Sequence, residues 1–289
     1  MPFNVVSDGM GSWSYEFIGP FLQRTFPNTT ITYDNSCRAD LVIRSHFLNL
    51  ERAAGYKCPY IVWSGESRHV PLIDHAPLFE LNTFHSPHEN SVYFPHIFAE
   101  IRETKRPEVQ TPKKYCCAYA FSNPVHDREL LFRRMRSLEP TCYGFGQCSF
   151  TNDNPFVAPI HDRGNNKNAF GNFGFTVAME NTVAPGYMTE KIGNAFCTGS
   201  VPIYKGDTDT VNAFFNRESF LNVSDYATPI LAAEAAVQIW RDPQKLQHFL
   251  DAPITLNDRL KDYEAIYTEY RPWQKPMVDA LRDAFPDCG

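Results

Sequence analysis

Two carboxylates, an amide and an ammonium crowd one stretch of this sequence: Met179-Glu180-Asn181-Thr182-Val183-Ala184-Pro185-Gly186-Tyr187-Met188-Thr189-Glu190-Lys191. The apolar run Phe173–Met179 reads as a strand, the chain from Thr189 reads as a helix, and a loop joins them. Thr189 is of the type that caps a helix, which puts Glu190 and Lys191 in the first turn. A helix start at the carboxyl end of a parallel strand offers backbone N–H groups and the positive end of a dipole. That suits a diphosphate, and Lys191 adds a full charge. Glu190 would be repelled by phosphate unless it faces hydroxyls, and a ribose diol can donate two hydrogen bonds to one carboxylate. A capped surface helix with a glutamate favouring its dipole has the same spacing. Spacing alone leaves both readings open.

Other chemistry-bearing clusters are weaker. Asp207-Thr208-Asp209 is an Asp-x-Asp, a form that can hold a metal and a diphosphate, but short acidic triplets are frequent and this one is read as a loop. His85, His88 and His96 have loose ligand-like spacing, yet no Cys/His pair completes a zinc set, so no metal site is expected. No Gly-x-Ser-x-Gly, Walker or dinucleotide fingerprint occurs. The 8 cysteines form no dense framework and read as buried thiols. Cys116 and Cys117 are adjacent on a strand and point to opposite faces, while Cys142 and Cys148 could pair in an oxidising compartment. Sequons occur at Asn28-Thr29-Thr30 and Asn222-Val223-Ser224, triplets that chance also supplies.

The elements that must position these residues alternate between strand and helix. Strands are expected at Asn4–Val6, Ile31–Tyr33, Leu41–Arg44, Tyr60–Trp63, Leu78–Phe84 and Ser91–Phe94, with a helix over Trp13–Phe26. A charged, proline-bearing stretch from Ile101 to Lys114 reads as a linker. The pattern then restarts: strand Tyr115–Phe121, helix Asp127–Leu138, strand Phe173–Met179, helix Thr189–Cys197 and strand Val201–Tyr204. Helices follow at Gln238–Phe249 and Tyr263–Tyr270. Such alternation argues for parallel sheets covered on both faces, in two domains over residues 1–110 and 111–289 with a cleft between them. No internal sequence repeat is evident.

Composition excludes several classes. A net charge of −6 argues against nucleic-acid binding by bulk electrostatics. With 43% hydrophobic residues the chain has ample core and is not disordered. No run nears the roughly 18 apolar residues a membrane helix needs. Met1–Val6 lacks the basic start of a signal peptide, so a soluble protein is expected, or one whose anchor was removed.

Glu180-Asn181-Thr182 followed by Tyr187-Met188-Thr189-Glu190-Lys191 closely resembles the donor-binding motif of the α1,3/α1,4-fucosyltransferase family. Ala195–Gly206 and Ser219–Val223 resemble the family's next helix, strand and short stretch. Tyr60–Glu66, ending Ser64-Gly65-Glu66, resembles its N-terminal strand ending in Gly-Glu. Asn123–Met135 resembles the helix that carries a phosphate-binding arginine, here Arg128, and Tyr143-Gly144-Phe145-Gly146 the Phe-Gly turn after it. Met179 and Thr182 stand where Phe and Ser are usual, and Gly174 stands where the family often has Lys.

The resemblance implies a GT-B architecture of two Rossmann-like domains, with GDP-fucose in the C-terminal one and the acceptor glycan in the N-terminal one. It implies an inverting transfer of L-fucose, here expected on the 3-hydroxyl of GlcNAc in a β-galactoside disaccharide. Glu66 is the expected general base, since it follows a buried strand and the attacking hydroxyl must lose a proton. Arg128 and Lys191 are expected to stabilise the departing diphosphate. Tyr187 would contact guanosine or diphosphate, Asn181 the sugar or phosphate side, and Glu190 the ribose. Glu180 would bind donor or hold the loop, and Gly146 would line the donor site. No cofactor is expected beyond the GDP-fucose co-substrate, and a divalent metal is at most stimulatory. The resemblance also implies a cytoplasmic protein like the family's soluble microbial or viral members, or else a Golgi-lumen one whose anchor was removed. The rival readings are a GT-B transferase of another GDP-sugar and a non-catalytic glycan-binding module.

Overall fold

The computed structural model describes residues 2–11, 13–71, 75–97, 107, 112–121, 123–145 and 170–288. Its described strands form two parallel sheets, each in its own compact unit.

The first sheet has the order β2-β1-β3-β4-β5-β6: β1 Phe3–Asp8, β2 Ile31–Thr32, β3 Leu41–Arg44, β4 Tyr60–Ser64, β5 Glu80–Asn82 and β6 Ser91–Tyr93. Every residue of β1, β3 and β4 is buried. Leu41–Ile43 and Tyr60–Trp63 are the apolar runs that a strand covered on both faces requires, while β1 also buries Asn4, Ser7 and Asp8. Register is set by pairs such as Val5 with Leu41 and Ile43 with Ile61. Helix α1 (Trp13–Thr25) buries Ile18, Phe21 and Leu22. A short helix α2 (Leu50–Gly55), too brief to show periodicity, follows β3.

The second sheet has the order β11-β10-β9-β7-β8: β7 Tyr115–Ala120, β8 Cys142–Phe145, β9 Phe173–Met179, β10 Val201–Lys205 and β11 Leu221–Asn222. All seven residues of β9 are buried. Helix α3 (His126–Leu138) follows β7 and buries Arg128, Leu131, Phe132 and Met135. Helix α4 (Glu190–Cys197) follows β9, and α5 (Thr208–Phe214) follows β10. The sequence suggests one helix over Gln238–Phe249. The chain instead breaks at Asp242, whose carboxylate caps α7 (Pro243–Asp251) after α6 (Pro229–Trp240) has ended. Proline at the first position of each helix fits an orphan N–H and cannot continue a preceding turn.

Both sheets share one plan. The first strand of each (β1, β7) has the second (β2, β8) on one side and all later strands on the other. This is the doubly wound order, in which loops diverge at a switch point and leave a crevice at the strands' carboxyl ends. No sequence repeat announces it, because the strand order depends on crossovers and not on shared side chains.

The units divide the chain as Met1–Ala99, Ala184–Tyr187 and Arg259–Gly289 in the first, and Glu100–Val183 with Met188–Asp258 in the second. The sequence reading gives all of 111–289 to the C-terminal domain, whereas residues from Arg259 onward pack on the first sheet. Phe285 meets Phe3 at 4.9 Å between ring centroids, and Trp273 stacks on Phe94 at 5.7 Å. Helix α8 (Lys275–Ala284) buries Met277, Val278 and Leu281. Apolar burial, which is indifferent to sequence distance, decides the assignment. Among the described residues no helix is long and apolar enough to cross a membrane.

Candidate functional site

The switch point of the second sheet lies between β7 and β9. Arg128 comes from the helix after β7, and Glu180-Asn181 from the loop after β9. The two meet. Arg128 Nη2 donates to Met179 O at 2.8 Å and to Asn181 Oδ1 at 2.7 Å, and Nη1 donates to Asn123 O at 3.4 Å. The guanidinium lies 3.6 Å from the centroid of the Phe121 ring. Arg128 is 0% exposed. In this arrangement it fixes the loop that carries Asn181.

Glu180 anchors the other end of the motif. Its backbone N–H donates to Lys205 O at 2.7 Å, which seats it at the edge of β10. Its buried carboxylate accepts from Thr189 N at 2.8 Å, from Thr189 Oγ1 at 2.8 Å and from Lys191 Nζ at 3.1 Å. Lys191 Nζ also donates to Thr189 Oγ1 at 2.9 Å and lies 3.8 Å from Glu190 Oε1. Thr189 occupies the N-cap position of α4, but its hydroxyl serves Glu180 and does not cap the first turn. Of the two roles the sequence left open for Glu180, the geometry gives it that of a strut across nine residues. The role of Thr189 as the hub between Glu180 and Lys191 is missed by the sequence reading, which treats it only as a cap.

The motif's middle belongs elsewhere. Ala184–Tyr187 packs with the first unit, where Tyr93 Oη donates to Gly186 O at 2.7 Å and His85 N donates to Pro185 O at 2.9 Å. Gly186 has φ +83°, and a Cβ there would stand 2.9 Å from His85 N and 3.0 Å from Tyr93, so glycine is required twice over. Tyr187 is buried in this segment. The structure therefore brings Arg128, Glu180, Asn181, Glu190 and Lys191 together in one unit and places Tyr187 in the other. Gly146 and Cys148 lie outside the described residues. Gly174 has a packing reason: a Cβ there would stand 2.9 Å from the Trp240 ring, which occupies the space a larger side chain would need.

Glu66 sits just beyond β4, half-buried. Its turn is tied by Ser64 Oγ, which donates to Glu66 O at 2.8 Å and to Arg68 O at 3.1 Å. His96 packs so close to Gly65 that a Cβ would be 3.0 Å from its ring. Unlike Glu180, the Glu66 carboxylate has no hydrogen-bond or ion-pair partner among the described residues. His46 lies near enough to feel its charge; burial holds this imidazole below the usual histidine range, and Glu66 partly offsets that.

The remaining clusters resolve differently. Asp207 is the N-cap of α5 and accepts from Thr210 Oγ1 at 2.5 Å, with Asp209 in the first turn, where a helix dipole favours both. The sequence reading takes these residues as a loop because the seven-residue helix is too short to show periodicity. His85, His88 and His96 do not converge: His85 packs on Tyr93 and His96 on Trp63, while His88 meets Glu80. Cys116, Cys117 and Cys142 are free and buried, as expected, and burial pushes the first two thiols well up, whereas Cys37 is exposed and Cys58, Cys197 and Cys288 are only half-buried, contrary to the reading of the cysteines as buried thiols.

Residues 110–253 match the model of the glycosyltransferase family 10 (fucosyltransferase) C-terminal domain, a span holding both the Arg128 and the Glu180–Lys191 clusters. The chain belongs to glycosyltransferase family 10. Among curated relatives, it is 29% identical over 125 residues to human 4-galactosyl-N-acetylglucosaminide 3-alpha-L-fucosyltransferase 9, covering 42% of this chain and 32% of that protein. It is 25% identical over 181 residues to a candidate fucosyltransferase of Acanthamoeba polyphaga mimivirus, covering 58% of this chain and 29% of that one. The chain thus spans about a third of the length of these relatives. A crystal structure of an alpha1,3-fucosyltransferase with GDP-fucose superposes with a TM-score of 0.66 at 18% identity, covering 98% of this chain and 90% of the other. At that identity the likeness is one of fold, the two-sheet α/β GT-B fold.

Proposed function

We propose that this protein is an inverting α1,3-fucosyltransferase that moves L-fucose from GDP-fucose to the 3-hydroxyl of GlcNAc in a β-galactoside glycan. The observation that carries the reading is the Glu180–Thr189–Lys191 cluster at the start of α4, joined through Asn181 to Arg128 at the switch point of a family 10 domain. A helix start beside a lysine is a place for a diphosphate. The local charges nearly cancel, with Arg128 and Lys191 against Glu180 and Glu190. Donor binding must therefore draw Lys191 away from Glu180 or add to its contacts.

In the step itself, the acceptor O3 attacks C1 of fucose while the C1–O bond to the β-phosphate breaks. GDP leaves with the electron pair, and the β-linked donor becomes an α-fucoside. Glu66 takes the hydroxyl proton, and its unpartnered carboxylate supports that role. Lys191 and the first turn of α4 stabilise the developing charge on the leaving phosphate, and Glu190 accepts from the ribose hydroxyls. Arg128 acts by holding Asn181 and the strand end in place. The step needs no metal.

A donor-by-acceptor array with linkage analysis tests this. GDP-fucose and a lactosamine-type acceptor should yield an α1,3-fucosylated product. Transfer from GDP-mannose and not from GDP-fucose would refute the donor, and a product with another linkage would refute the acceptor hydroxyl.

A further inference from the structure

The first unit contains a second cluster that plays no part in the proposed transfer. His69 lies in the segment after β4, Glu80 opens β5, and His88 lies in the β5–β6 connection. One ligand atom from each falls within 4.8 Å of the others. His69 Nδ1 is 3.5 Å from Glu80 Oε2, and His88 Nδ1 is 3.1 Å from Oε1. Ligands at about 2.0–2.1 Å from a tetrahedral zinc are separated by roughly 3.3 Å, close to both of these histidine–carboxylate separations.

Glu80 supplies the reason to expect a cation. It is 3% exposed, and burying an ionised carboxylate is costly unless an opposite charge meets it. Among the described residues its side-chain partners are Asn82, His69 and His88, none of which carries a permanent charge. Asn82, itself fully buried, donates from Nδ2 to Glu80 Oε2 at 2.8 Å and to Ser91 Oγ at 2.9 Å. That is the outer-shell support that orients a ligating carboxylate. The two imidazoles lie side by side, their ring centroids 4.2 Å apart. Their side chains are 38% and 42% exposed, leaving an open side for water.

We infer that His69, Glu80 and His88 bind one divalent transition-metal ion of the zinc class, with water completing its coordination. Two imidazoles and one carboxylate select zinc, cobalt or nickel over magnesium and calcium. The ion pins the segment that follows Glu66 to β5 and to the β5–β6 connection.

Metal-stripped protein titrated with Zn²⁺ and Co²⁺ decides the matter. The unaltered protein should bind one equivalent more than His69→Ala/His88→Ala. The Co²⁺ adduct at that site should show d–d absorption without thiolate charge transfer. Zn²⁺ affinity at the site should fall at least about 100-fold in the double variant, the upper end of what outer-shell losses alone cost. Both histidines are partly exposed, and circular dichroism with the single variant His88→Ala separates metal loss from misfolding. Equal stoichiometry and affinity in folded variants, or Co²⁺ bound wholly through thiolates, would overturn the assignment.

Discussion

Glu66 and Glu180 each follow a buried parallel strand, yet they end in opposite states. Glu180 accepts three hydrogen bonds, one of them from an ammonium, and is sealed from solvent. Glu66 is half-buried in a turn held by main-chain oxygens, and no donor among the described residues reaches its carboxylate. A carboxylate saturated with donors has its lone pairs committed and serves as a strut. One held in place by its backbone but unbonded at its tip keeps them for a proton. The contrast fits the proposal that the Glu180 region organises the site and the Glu66 turn supplies the base, and each half of that proposal can be broken.

Glu66→Gln should have the largest effect. The amide keeps the shape and removes the base, so kcat should fall about 10²–10⁴-fold. GDP affinity by calorimetry should stay within twofold, because Glu66 belongs to neither the α4 start nor the Arg128 cluster. Unchanged turnover would remove Glu66 as base, and a matching loss of GDP affinity would make it structural.

Lys191→Ala comes next. A charge-assisted hydrogen bond contributes about 1.5–3 kcal/mol, so GDP Kd should rise about 10–100-fold. The same change strips Glu180 of its ammonium and should lower the thermal midpoint, since a buried charge loses its partner. A drop in midpoint with unchanged GDP affinity would leave Lys191 as part of the strut only and would cancel its phosphate role.

How much of this was legible follows the same divide. The strands β3, β4, β7 and β9 are mostly apolar and mostly buried, and that continuous apolar character writes them plainly. The order of strand, loop and helix start from Phe173 to Lys191 is local and could be read before any fold was known, whereas the bonds that tie Glu180 to Thr189 and Lys191 could not. Three kinds of feature could not. Helices α2 and α5 are too short for a period to show. The return of residues 259–289 to the first sheet rests on contacts such as Phe285 with Phe3, which no local window contains. The convergence of His69, Glu80 and His88 comes from three separate segments. His85, His88 and His96, from whose loose spacing no metal site is expected, do not converge, since His85 packs on Tyr93 and His96 on Trp63.

The smallest expected effect probes the Glu66 turn through its neighbour. His46 Nε2 lies 2.8 Å from Arg68 O, and burial lowers the imidazole's affinity for a proton, with Glu66 opposing that shift. Above the unfolded value of about 6.5 the ring is neutral in both states and exacts no penalty. As pH falls below that value the unfolded chain takes up the proton first, so stability drops until His46 also protonates in the folded protein. His46→Gln should therefore flatten the loss of stability between about pH 7 and pH 5, read as the difference between urea midpoints of the two proteins. Glu66→Gln should act the other way and steepen it, because the carboxylate that helps His46 hold a proton is gone. If Glu66→Gln leaves the slope untouched, the carboxylate points away from His46. The Glu66 side chain would then be turned to another neighbour, even with catalysis lost.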